Sequence, residues 1–364
     1  MAREPQPTDA VIVGVGMTTP VGLTGPETAA AVRAGLALFA PSAVRDQRLE
    51  PITLATVPDD GLAGLADGVA PTPPAPEMTA REARLLRLAT QPLRECLALL
   101  PAHEATTKPG MVVALPATHV GPAPLDPAGF LQRLAAQVGG AVEVRRSDAS
   151  QTGRAGGIAA IHMAAAYVSA GHAPFMLAGG VDTFHDRAVI ETLDRQRRVK
   201  TSANLDGFIP GEAAAFLLLT TRAVAQRVGL RPLAAVTPGA VGVEPGHLYS
   251  EVPYRGDGLA QTVSALAASG ALPLPVREVY SSMNGEQHWA KEWGVSYIRN
   301  RATFDSDHGL HHPADCTGDT GAACGPLMVG LAALGIAEGY RGSPCLVYGS
   351  SDDGPRAAIG VVAA

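Results

Sequence analysis

Three groups of residues in this 364-residue chain have types and spacing that can do chemistry. Asp307, His308, His311, His312, Asp315 and Cys316 fall close together. His308 and His311 with Asp315 offer the imidazole and carboxylate donors that hold a transition metal. Gly309 and Pro313 place them on a loop, where histidines also line polar pockets, and that second reading is preferred, so no metal is expected. A second group, Asn284, Glu286 and His288, sits on a turn after an apolar strand, a common place for working side chains. Trp289 and Trp293 beside it read as packing residues. Arg154, at the start of a small-residue helix, is the third. A buried arginine there can grip a carboxylate or phosphate with two parallel hydrogen bonds, or close a pocket by an ion pair to Asp319 or Glu286. The ion pair is the preferred reading. Ser150 and Thr152 just before it would be nucleophiles only beside a base that the sequence does not assign, and they read as cap or turn residues.

These residues need elements to hold them. Ala10–Val13 reads as a buried strand with Gly14 and Gly16 in a tight turn, and GVG here is too short a glycine signal for a dinucleotide site. Thr24, Pro26 and Glu27 open a helix that runs to Arg33 and stops at Gly35. Residues 40–78 read as a surface excursion. Thr79–Leu100 is an amphipathic helix, Met111–Leu115 a strand, 116–126 a loop, and Pro127–Val138 a helix. Residues 154–170 form the central helix, in which Met163 and Tyr167 read as core; Phe175–Ala178 is a strand ending at a Gly-Gly turn. Arg187–Asp194 is a short helix, Ala213–Thr220 a strand, and the helix after it ends at Gly229. After a connector at 231–247 the pattern repeats: helix Leu259–Ala268, strand Glu278–Ser281, helix Gly325–Glu338, then strands Cys345–Tyr348 and Ala357–Val362. Strands alternating with helices indicate an α/β fold with mixed sheets covered on both faces.

Composition narrows the function. Hydrophobic residues make up 46% and charged residues 17%, a well-packed globular profile. The net charge of -6 comes without a clustered basic face, which argues against a nucleic-acid partner. The four cysteines, Cys96, Cys316, Cys324 and Cys345, form no CxxC pair, so neither a disulfide framework nor a zinc knuckle is expected. No apolar run approaches the ~20 residues of a membrane span, and the first residues show no signal pattern. The expectation is a cytoplasmic protein with reduced thiols and no membrane association.

Three stretches in order carry a resemblance. VIVGVGMTTPVG resembles the first strand and turn of the β-ketoacyl synthases of the thiolase-like superfamily. DGFIPGEAAAFLLL resembles their strand motif, with Ala213 where the family has a glycine after Gly211-Glu212. The central helix with LAGGVD is the third stretch. The resemblance implies a thiolase-like α/β fold of two pseudo-repeated halves in a five-layered α-β-α-β-α arrangement, with halves at 1–232 and 233–364. The family condenses acyl thioesters with a cysteine at the N-terminus of the central helix and two histidines, or a histidine and an asparagine. The helix terminus lowers the thiol pKa and holds the thioester oxyanion. A gapless alignment from His162 and Gly171 puts Arg154 at the cysteine position, and a permanently protonated guanidinium is no nucleophile. Asn284 and Asp319 then stand where the family has its two histidines, and His312 is the best substitute histidine. Glu286, His288 and Ser350 are the expected substrate-binding residues, with Ser350 in the glycine-rich YGSSDDG where the family places its acyl-gating loop.

The resemblance therefore implies a divergent ketosynthase-like protein, without Cys-dependent condensation, that acts as a partner subunit or binds an acyl thioester or an acyl carrier protein. It implies a homodimer or a heterodimer with an active ketosynthase, and no cofactor. Two rival readings are an acyl-thioester enzyme using non-Cys residues on the same fold, and a homodimeric interaction protein with a vestigial pocket.

Overall fold

The computed structural model describes residues 4–69, 78–101, 108–119, 121 and 125–364. The first half runs β1 (Ala10–Thr18), α1 (Gly25–Arg33), β2 (Phe39–Arg45), β3 (Pro51–Ala55), α2 (Ala80–Leu97), β4 (Gly110–Ala114), α3 (Pro127–Gln137), β5 (Asp148–Ser150), α4 (Arg154–Ser169), β6 (Phe175–Thr183), α5 (Arg187–Arg195), β7 (Glu212–Thr221) and α6 (Arg222–Val228). The second runs β8 (Ala234–Val236), β9 (Ala240–Val243), α7 (Asp257–Ala268), β10 (Val276–Ser281), α8 (Gln287–Arg299), β11 (Phe304–His311), α9 (Ala314–Thr317), α10 (Cys324–Ala337), β12 (Cys345–Ser350) and β13 (Pro355–Val362).

Two sets of five strands share one order. In the first, β5-β4-β6-β7-β1 places three parallel strands beside two antiparallel ones. In the second, β11-β10-β12-β13-β9 repeats it. Strand β8 pairs with both β1 and β13 and joins the two sets into one ladder. Helices α4 and α10 lie between the sets and touch strands of both. Helices α2 and α3 cover the outer face of the first set, and α7 and α8 that of the second. The result is the five-layered α-β-α-β-α arrangement of the thiolase-like fold.

The middle layer follows from composition. RAGGIAAIHMAAAYVS in α4 and CGPLMVGLAALGIA in α10 are small and apolar nearly all round, which suits a buried α10 and an α4 left open only along Met163 and Ala166. Their packing is backbone-close: a Cβ on Gly157 would sit 2.2 Å from Pro326 Cδ and 2.8 Å from the Ala322 carbonyl.

Several sequence expectations change. Gly14 and Gly16 do not turn the chain; β1 runs straight through them to Thr18, because α2 crosses so closely that a Cβ on Gly16 would strike the Pro92 carbonyl. The Gly179-Gly180 pair is likewise inside β6, which continues to Thr183. The connector after α6 contains β8 and β9, and the histidine-rich stretch read as loop is strand β11. Helix α8 had no counterpart in the reading. Met163 is 43% exposed rather than core. Parts of 40–78 and 116–126 lie outside the described residues.

Replacing Gly157 with valine should lower stability by about 1–3 kcal/mol in a denaturant titration, since the helix pair cannot spread without disturbing both sheets. Gly294 in α8 has open space at its Cβ, so Gly294→Ala should instead raise stability by about 0.5–1 kcal/mol.

Candidate functional site

Helix α4 begins at Arg154, after Gly153 at φ 64°, with the arginine side chain 4% exposed. Its guanidinium is held on two sides. Nε donates to Asp319 Oδ1 and Oδ2 at 3.2 and 3.0 Å, and Nη2 donates to Oδ2 as well. Nη1 donates to Asp352 Oδ1 at 2.6 Å and to the Ser350 carbonyl at 3.5 Å. Asp319 reaches this position on the turn between α9 and α10, where its Oδ1 also accepts from the Gly321 amide at 2.9 Å. Asp352 lies just beyond β12, on the turn to β13.

A second buried arginine extends the network. Arg198 follows α5 and donates Nη1 to Asp352 Oδ2 at 2.6 Å. Its Nε and Nη2 form a fork on Glu286 Oε1 and Oε2 at 2.8 and 2.7 Å. Asn284 bridges the two ends, donating Nδ2 to Asp319 Oδ2 at 2.7 Å and to Glu286 Oε2 at 3.1 Å. The Trp289 indole N–H donates to Glu286 Oε2 at 2.9 Å, and its ring lies 5.2 Å from the Arg154 Cζ. At the rim, His119 faces both Asp352 and Asp353, at 3.5 and 3.7 Å. Tyr249 packs edge-on against His119 and accepts from Arg198 at 3.0 Å.

Charge balance sets the ionisation. Burial works against the Arg154 cation, but Asp319 and Asp352 outweigh it and hold its pKa well above the usual arginine value. Burial would raise the Asp352 carboxyl, yet Arg154 and Arg198 pull it well below the usual carboxylate range. Burial lowers the His119 imidazole, and hydrogen bonds to Asp352 and Asp353 overcome that and push it up to about 9. Cys324, which opens α10 within reach of this field, offers no thiolate: burial and the Asp319 charge push it up to about 12.

The sequence-derived residues divide. Arg154, Asn284, Asp319 and Glu286 meet in one network, and Ser350 contributes its carbonyl. His288 does not join; its ring packs against Tyr254 and Trp289, with centroids 4.7 Å from each. His312 is turned away from the guanidiniums, with Nδ1 2.6 Å from Ser281 Oγ. The candidate metal trio does not converge: His308 lies against Phe304 and Tyr297, while His311 Nε2 pairs with Glu278 at 2.6 Å. Thr152 and Ser150 approach each other at 3.4 Å, and the Thr152 carbonyl accepts from Ser351. Sequence reading missed Asp352, Arg198 and His119. The SSDDG acids carried a signal, because a buried arginine demands carboxylates. Arg198, inside RQRRVK, looks like part of a solvated charge run.

Against known proteins, the model of the β-ketoacyl synthase N-terminal domain matches residues 146–225. No curated protein matches the chain in sequence. Among solved structures, the ishigamide ketosynthase/chain length factor is similar with a TM-score of 0.79 and 14% identity, over 98% of this chain and 99% of that one. The AntDE:AntF structure, a type II PKS acyl-carrier protein in complex with its ketosynthase bound to the hexaketide, gives 0.77 and 16% over 99% and 100%. The ketosynthase from module 6 of the bacillaene synthase from Bacillus subtilis 168 gives 0.79 and 13%, over 98% and 72%.

Stability should follow the network's titration. Asp352, depressed in the fold, contributes fully above about pH 4 and loses that contribution as pH falls further. His119, raised in the fold, contributes fully below about pH 6.5 and loses it as pH rises toward 9. A pH series of thermal melts should show the alkaline loss vanish in His119→Gln. Asp352→Asn leaves two buried guanidiniums short of a carboxylate and should cost about 3–5 kcal/mol at neutral pH. With these residues in place, the chain has the thiolase-like fold of the ketosynthases, and its 146–225 segment matches their N-terminal domain.

Proposed function

We propose that this chain is a divergent ketosynthase-like subunit that does not perform Cys-dependent condensation and works beside an active ketosynthase or an acyl carrier protein. The observation that carries this reading is Arg154, clamped by Asp319 and Asp352 at the start of α4. An acyl-thioester nucleophile needs a deprotonable atom there, with free N–H groups around the thioester oxygen. A guanidinium supplies no lone pair for attack, and its donors are already committed to carboxylates. Asn284 and Asp319, at the positions the resemblance assigns to the histidines, are bound to the same network.

Support for a pairing role comes from the neighbours, which include a ketosynthase/chain length factor and an acyl-carrier protein with its ketosynthase. In the fold, β5 ends the ladder beside the nucleophile-position helix and leaves one edge for a second subunit, either a copy of this chain or an active ketosynthase. A cytoplasmic location belongs to this reading, and no described helix is long and apolar enough to cross a membrane.

Two measurements test the reading together. With malonyl and acyl thioesters of a carrier protein, the chain should form no acyl-enzyme and release no carbon dioxide, and Arg154→Cys should not restore either. Co-expressed with a cysteine-bearing ketosynthase from the same genome, it should elute as a one-to-one complex. Turnover by the unaltered chain would overturn the proposal in favour of a non-Cys thioester enzyme, and an isolated homodimer without carrier-protein binding would favour a purely structural role.

A further inference from the structure

A separate groove lies between α1, the C-terminal end of α10 and the β10–β11 edge, with a volume of about 250 Å³. Ala29, Val32, Leu310 and Leu331 form apolar wall, while Arg33, His311, His312, Asp315, Tyr340 and Arg341 bring the polar groups. The Arg33 guanidinium stacks 4.4 Å above the Tyr340 ring, and Arg341 lies 5.9 Å from the same ring centroid. Neither arginine forms an ion pair among the described residues. The Arg341 Nε is buried with no hydrogen-bond partner, and the residue's stem packs on Gly335.

Tyr280 on the groove wall hydrogen-bonds Arg341, but no carboxylate pairs with either cation. Glu278 is committed to His311 at 2.6 Å and to the Gly342 amide at 3.1 Å. His312 donates to or accepts from Ser281, and burial lowers its pKa, so it adds no charge at neutral pH. Asp315 is the one carboxylate among the lining residues not already bound to His311. Within the groove lining, two guanidiniums face one carboxylate over an apolar floor, while Glu278, Asp305 and Asp307 flank the far side of Arg341.

We propose that this groove is a second ligand site, apart from the buried ion network, that takes a small organic monoanion with a carboxylate head and a short apolar or aromatic body. The planar guanidiniums match a carboxylate fork, and Tyr340 holds Arg33 in place for it. Asp315 in the lining and the three acids flanking Arg341 repel a dianion more than a monoanion, which favours a carboxylate over a phosphate. A groove of this size admits an acid of benzoate or butyrate scale and excludes a nucleotide or a pantetheine arm. The proposal does not rest on the reading of Arg154.

Isothermal titration calorimetry of the full chain with benzoate, butyrate and inorganic phosphate decides it. Benzoate and butyrate should bind saturably at millimolar concentration and raise the melting temperature. Arg341→Met keeps the stem over Gly335 and should weaken binding at least about tenfold, as should Arg33→Leu, since each removes a charge-assisted hydrogen bond. Arg33 is exposed on the last turn of α1, so its variant decides the question even if Arg341→Met folds poorly. Absence of saturable binding by either acid, equal binding by both variants, or tighter binding of phosphate than of benzoate would overturn the proposal.

Discussion

The structure depends on one electrostatic requirement: a guanidinium buried at the start of the central helix must be neutralised where it stands. An isolated charge in that position would cost more than the rest of the fold could offset. Helix α4 adds to the problem, because its N-terminus is already positive. The chain answers with carboxylates brought from distant segments: Asp319 before α10, Asp352 after β12, and Glu286 after β10 through Arg198. Each comes from the second half, while both arginines come from the first. The network is therefore also a clasp between halves, and its geometry is set where strands β10 and β12 end.

The same middle layer explains why so much of the chain is alanine and glycine. Two helices packed between two sheets keep little or no solvent face, only the Met163–Ala166 side of α4 being exposed, so bulk must be removed from most sides rather than from one stripe. With Gly157 against Pro326 and Gly325 against Ile158, the helix axes come close enough for α4 to bring Arg154 within reach of the Asp319 turn. Small residues here serve electrostatics as much as packing. A wider separation would pull the arginine away from its carboxylates and leave both sides uncompensated.

Sequence reading reached the fold through local signals with a direct physical cause. Thr24 and Glu27 do form a reciprocal cap, Gly229 does end α6 in a left-handed conformation, and the 154–170 helix stands where it was expected. It failed where a residue's role is set by something distant in sequence. Gly14, Gly16 and the Gly179-Gly180 pair carry the signature of turns, yet each lies in a strand because another element approaches its backbone. Strand β11 was hidden by histidines and aspartates, whose polarity at a sheet edge reads as loop. For the site, residue type identified Arg154 and its Asp319 partner, whereas Asp352 and Arg198 could be found only by asking which charges the buried network still lacked. His312, near Asp319 in sequence, has its Nδ1 on Ser281 Oγ instead.

Strand β8 is three residues long, yet it joins the strand ladder of one half to that of the other, through Val11 and Ile12 on one side and Val361 and Val362 on the other. A chain with duplicated architecture would ordinarily be free to lose one copy's order while the other persists. Here β1 and β13 are both tied to that short segment. Through that segment the two strand sets share one continuous hydrogen-bonded sheet, so a break at β8 would separate the ladder of one half from that of the other.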